Sequence, residues 1–184
     1  KTVNPPKLYD LTTLQREANR YYGFTAQQTL DLVQTLYEKK LLTYPRTDSQ
    51  FITDDMEDTA RQVISIVCRQ FPLFSGVLVT PDIARVTDNS NVTDHHAILP
   101  TVQLEKQDVS ALPQSEQKIL NLVGMRLLCA TGEKHTYAET QISLSCESYT
   151  FKTKGKTVVQ NGWKAIEELF KASLKTKEKD DPMK

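Results

Sequence analysis

One short run, Thr43-Tyr44-Pro45-Arg46-Thr47-Asp48-Ser49, sets a phenol two residues from a guanidinium, with hydroxyls and a carboxylate alongside. A phenol that gives up its proton can attack a phosphodiester and form a phosphotyrosine ester, if the charge growing on the phosphate is balanced. Arg46 suits that balance, because its planar fork matches phosphate oxygens. Thr47 and Ser49 are candidate donors to backbone phosphates. By residue type alone, a tyrosine before a proline in a loop reads more readily as a packing residue.

A second run, Thr93-Asp94-His95-His96-Ala97-Ile98-Leu99-Pro100-Thr101, carries adjacent imidazoles. Neighbours on an extended chain point apart, so a single metal does not readily take both. The remaining histidine, His135, is distant in sequence. The pair therefore reads as a phosphate-contacting imidazole or as an exposed loop pair. Arg85 and nearby lysines add a local basic group for nucleic acid.

The elements that must position these runs are mainly helical. DLTTLQREANRYYG reads as a helix, with Thr12 and Gln15 at capping-box spacing and Gly23 as its stop. Thr25 and Gln28 repeat the box ahead of a second helix with Ala26, Leu30, Val33 and Leu36 or Tyr37 at helical period. A third helix is expected after Thr53, running to about Gln70, with Asp54, Asp55 and Glu57 in its first turn. Residues 85–101 read as a loop. A fourth, largely apolar helix begins after Ser115 and is expected to be central. Alternation from Ala138 to Cys146 predicts a half-buried strand, with Tyr149–Lys154 as hairpin partner and Thr157–Gln160 as a third strand ending near Trp163. The N-terminal VNPPK reads as an extended linker, and KTKEKDDPMK as disordered.

The fold class is thus α+β and mainly helical. A helical, tyrosine-bearing domain over 1–133 precedes short antiparallel strands over 134–170 and a disordered tail over 171–184. A few strands do not make a stable sheet alone, so the chain is expected to be part of something larger. The 23 basic and 23 acidic residues balance, which argues against a whole-domain footprint for nucleic acid but leaves room for a local basic groove. No apolar run approaches bilayer length and KTVNPPKLYD has no signal-peptide core, so a cytoplasmic, membrane-free setting is expected. Cys68, Cys129 and Cys146 form no CxxC pair and are expected to be reduced and buried.

LLTYPRTDSQFI followed by TDHHAILPT resembles the type IA DNA topoisomerases, nearest to their bacterial topoisomerase III branch. The stretch from DLTTLQREANRYYG to LLTYPRTDS is similar almost continuously. YTFKTKGKTVVQNGW resembles the strands that return that family's chain to a β-rich arch. The likeness runs from about Pro6 to Trp163.

The resemblance implies that Tyr44 is the nucleophile, leaving a DNA 5′-phosphate joined to its phenol. It implies a scissile-phosphate contact for Arg46 and a phosphate contact for His95, with His96 as the alternative register. Asp94, Thr47, Asp48 and Ser49 would support these groups or the DNA backbone. It further implies single-stranded DNA as partner, and Mg²⁺ bound by an acidic cluster on a domain outside this chain. Strand passage would need the missing domains of the same polypeptide. A non-catalytic helical module, winged-helix-like in arrangement, is the alternative reading.

Overall fold

The computed structural model describes residues 1–77 and 79–179, with side chains up to residue 174 apart from that gap. Helix α1 spans Leu11–Tyr22 and is capped by Asp10, whose carboxylate accepts from the Thr13 amide. Thr12, the expected cap, lies inside the helix instead. Gly23 ends α1 in the left-handed region at φ 69°, a conformation that costs a residue without a Cβ little. Helix α2, Ala26–Glu38, opens on the expected reciprocal capping box of Thr25 and Gln28. Helix α3, Glu57–Gln70, follows a 3₁₀ turn over Asp54–Met56. Helix α4, Gln114–Ala130, is buried along most of its length, as its all-round apolar sequence requires.

These helices share one core, in which Leu14, Leu36, Ile66, Phe71, Phe74 and Leu122 are fully enclosed. Gly124 in α4 lets α3 approach closely: a Cβ there would lie 3.2 Å from Val67. A charged cluster sits among α1, α4 and the N-terminal segment. The Arg126 guanidinium donates to the Glu17 carboxylate and, at 3.3 Å, to the Tyr9 hydroxyl, which itself donates to Glu17. Burial disfavours the Arg126 cation, but Tyr9 and Glu17 outweigh it and hold the group protonated, above its ordinary range. Burial likewise drives the Tyr9 phenol well above its ordinary value.

The β region departs from the sequence reading. Thr2–Val3, the latter expected to open the linker, forms strand β1 and pairs antiparallel with β2, His135–Cys146. The two short later strands are one continuous strand β3, Tyr149–Gln160, antiparallel to β2. The expected half-burial holds only near the base of this ribbon. Beyond Glu139 both faces are exposed, with Leu144 64% and Phe151 61% accessible. Alternation does segregate the side chains: Ile142 and Leu144 share a face with Phe151, opposite a face bearing Lys152 and Lys154. No second layer packs on the apolar face within the described residues, so periodicity alone does not bury it.

Residues 163–179 form helix α5, where the sequence reading places the end of the β region and the start of a disordered tail. Ile166 and Phe170 recur four apart and bury against the body, and Tyr21 meets the Phe170 ring edge-on at 5.3 Å. That packing outweighs the charge run that suggested disorder. Positions 180–184 of the expected tail lie outside the described residues. Cys129 is buried, which pushes its thiol up to about 12, whereas Cys68 is half-buried and Cys146 exposed. The expectation of burial thus fails for Cys146, which sits on the open ribbon.

Candidate functional site

Tyr44 and His95 come from separate loops, and backbone pairing brings the loops together. Leu42 bridges Pro100 antiparallel, Thr43 donates its amide to Leu99 at 2.9 Å, and Thr101 donates to Leu41 at 3.0 Å. The Thr43 hydroxyl doubles the tie, donating to the Ala97 carbonyl at 3.1 Å and accepting from the Leu99 amide at 2.9 Å. Pro45 stops regular structure at this point, because it supplies no amide donor. The loop consequently turns away while its flanks remain paired.

The result is a tilted stack: the Tyr44 and His95 rings lie 4.3 Å apart between centroids. Tyr37, from the end of α2, meets Tyr44 edge-on at 5.4 Å. Arg46 is exposed and has no ion-pair or hydrogen-bond partner among the described residues. An exposed, unpaired guanidinium is a ready receptor for a phosphate. Asp48 and Asp94 are exposed as well.

Other expected site residues have different surroundings. Thr47 is buried, and its hydroxyl donates to the His95 carbonyl at 2.9 Å. Ser49 is buried and donates to the Asn91 carbonyl at 2.8 Å. In the folded chain both hydroxyl protons join the loops. His96 turns its Nδ1 to the Ala97 carbonyl at 2.8 Å, leaving His95 as the ring that faces Tyr44. Arg85 is also committed: it donates to the Gly132 carbonyl and pairs with Asp82 at 2.8 Å. Its guanidinium is a brace between helices first, since both its partners are protein groups.

The turn that receives Ser49 is itself held by a charge. Hydrogen bonds from Ser90, and then from Asn91, keep the Asp88 carboxyl below the usual carboxylate range. Those bonds are fully present above the unfolded-state pKa and are lost as pH falls through the lowered folded value.

Sequence reasoning missed Thr43 and Tyr37. Thr43 adjoins the tyrosine, but its bonds reach across the fold to Ala97 and Leu99. Tyr37 sits on the helical period of α2 and reads there as a core position. Among the described residues no three His, Cys, Asp or Glu side chains converge as a metal site.

A helical body thus presents a phenol and an imidazole in ring contact at one pair of loops, with an exposed guanidinium two residues along the chain from the phenol. The sequence profile of the DNA topoisomerase family matches residues 1–183. DNA topoisomerase 3 of Bacillus licheniformis is 36% identical over 97% of this chain and 25% of its own length. DNA topoisomerase 3 of Bacillus thuringiensis strain Al Hakam is 40% identical over 89% of the chain and 23% of its own length. Full-length topoisomerase I from Thermotoga maritima superposes with a TM-score of 0.67, at 26% identity, over 90% of this chain and 27% of that one. This chain belongs to the type IA DNA topoisomerases, beside the bacterial topoisomerase 3 enzymes. It spans about a quarter of the length of these relatives. Among the described residues no helix is long and apolar enough to cross a membrane.

Proposed function

We propose that this chain is the tyrosine-bearing part of an enzyme that transiently cuts one DNA strand, passes another strand and reseals. The observation that carries the reading is the meeting of the Tyr44 and His95 rings at 4.3 Å, with the exposed Arg46 two residues along the chain from Tyr44. In the forward step the Tyr44 oxygen bonds to phosphorus and the bond from phosphorus to the 3′-oxygen breaks. The phenol loses a proton and the departing 3′-oxygen gains one. The 5′-phosphate stays on Tyr44 until the 3′-hydroxyl attacks it and reverses both bonds. Because the ester preserves the bond for resealing, no nucleotide hydrolysis is required. Arg46 balances phosphate charge in a fixed fork. The His95 imidazole orients the phosphate or the phenol from the facing loop. No step here is routed through a metal: the Mg²⁺ of the whole enzyme is proposed to bind outside these 184 residues.

The test is covalent capture of radiolabelled single-stranded DNA by the enzyme at the full length of its relatives. Capture is expected with Tyr44 present and absent in Tyr44→Phe. Capture that persists in Tyr44→Phe would sink the assignment. The 184-residue chain by itself is expected to bind single-stranded DNA weakly and not to relax plasmid, with or without Mg²⁺. Relaxation that appears with Mg²⁺ and vanishes in Tyr44→Phe would show that the chain holds the whole chemistry.

A further inference from the structure

The chain is neutral as a whole, yet one cleft away from the Tyr44–His95 pair has walls whose ionisable groups are all basic. It encloses about 380 Å³ and is lined by Pro6, Lys7, Gln50, Phe51, Arg85 and Lys134, among others. That volume is at the small end for ligand clefts, which run roughly 300–1,000 Å³. It has room for a single nucleotide unit and none for a double helix. No carboxylate lines it, although Asp82 pairs with the Arg85 brace from outside. Lys7 and Lys134 have no ion-pair partner among the described residues and are exposed. The Lys7 ammonium rests 4.8 Å from the centroid of the half-buried Phe51 ring.

We infer that this cleft is a second contact for single-stranded DNA, in which Lys7 and Lys134 hold a backbone phosphate while a base lies against Phe51. This rests on the reading of a DNA strand as substrate. Unpaired ammonium groups beside an accessible aromatic ring are the two components that single-strand binding uses: charge for the backbone and a π-face for a base. The wall is rigid. The Phe51 carbonyl accepts from Ala97, and Gln50 donates to Asp10 at 3.0 Å and to Thr13 at 3.1 Å. Phe51 and Gln50 continue the same loop that carries Tyr44, so a strand held here is tethered to the element that would cut it. Contact in the cleft holds the strand without taking part in bond breakage.

The test uses this chain in a Tyr44→Phe background, so that only non-covalent binding is read. A fluorescein-labelled oligothymidylate is titrated at several salt concentrations. Lys7→Gln with Lys134→Gln should weaken binding at least tenfold at low salt. It should also flatten the salt dependence, by roughly 0.7 log units per log unit of salt for each phosphate no longer neutralised. Phe51→Leu, which keeps an apolar side chain but removes the ring, should weaken binding about tenfold with the salt slope unchanged. Lys152→Gln with Lys154→Gln, on the exposed ribbon, removes equal charge and should change little. Unchanged affinity and slope in the Lys7/Lys134 variant would overturn the site. So would an equal loss in the ribbon variant, which would mark diffuse attraction to any lysine. Failure here leaves capture by Tyr44 standing, and failure of capture leaves this binding result intact.

Discussion

At the residue scale, Arg46 and Arg85 show why residue type alone does not assign a role. Both are arginines near basic or hydroxyl-rich loops, but Arg85 is braced by Gly132 and Asp82 while Arg46 projects free. The proposal makes a specific demand of Arg46. Arg46→Lys keeps the charge and loses the bidentate fork. Covalent capture of DNA by the full-length enzyme should then slow by roughly tenfold to a hundredfold, the range expected when a transition-state donor is impaired. Non-covalent affinity for the same oligonucleotide should barely move, since long-range attraction reads charge and not shape. A parallel loss of affinity and capture would instead make Arg46 a general DNA contact.

At the scale of elements, the site depends on a junction between loops. Thr43 is the residue that closes it, with one hydroxyl serving the Ala97 carbonyl and the Leu99 amide. Thr43→Val retains the shape, strands the Leu99 amide and leaves the Ala97 carbonyl only its His96 contact. Leaving buried polar groups unpaired costs about 1–3 kcal/mol, which a urea-denaturation midpoint would register. Because the His95 loop loses its tie beside Tyr44, capture should fall further than global stability predicts. A variant that is destabilised but captures DNA normally once folded would show that the backbone pairing alone sets the ring geometry. The turn at Gly162 makes a separate prediction. Gly162 has φ 52°, and a Cβ there would run into the Lys134 and Glu133 carbonyls. Gly162→Ala should therefore lower stability by more than about 1 kcal/mol, seen as a reduced melting temperature. An unchanged melt would mean that the entry to α5 can shift without cost.

At the scale of the whole molecule, the Tyr9–Glu17–Arg126 cluster ties the N-terminal segment to α1 and α4 inside the body. Tyr9 also bridges Ile98 through its backbone, so the cluster lies one link behind the His95 loop. Glu17→Ala leaves the Arg126 cation largely buried without its carboxylate. Removing one partner of such a pair costs about 3–5 kcal/mol, a large part of the stability of a domain this size. Equilibrium urea unfolding tests it, and a loss below about 1 kcal/mol would place the cluster effectively in water. The open apolar face of the β2–β3 ribbon contrasts with this closed interior, because its alternating side chains have found no second layer among the described residues.

Much of this was legible from residues alone because it is local. The Thr25–Gln28 capping box, the Gly23 stop and the apolar circumference of α4 are set by interactions within a few positions. The paired motifs around Tyr44 and His95 were legible too, through their joint resemblance to one family in order and spacing. What remained hidden depends on contacts between distant positions. β1 exists because Thr2 and Val3 meet Thr136 and His135. Helix α5 persists through a charged run because Ile166 and Phe170 bury against α1 and α4. Thr47 and Ser49 tie loops together because carbonyls far along the chain lie within reach of their hydroxyls. Sequence determined α1 to α4 and named the candidate reactive groups. Tertiary structure decided which groups face one another, because a hydrogen bond spans only about 3 Å and only the folded chain brings such partners that close.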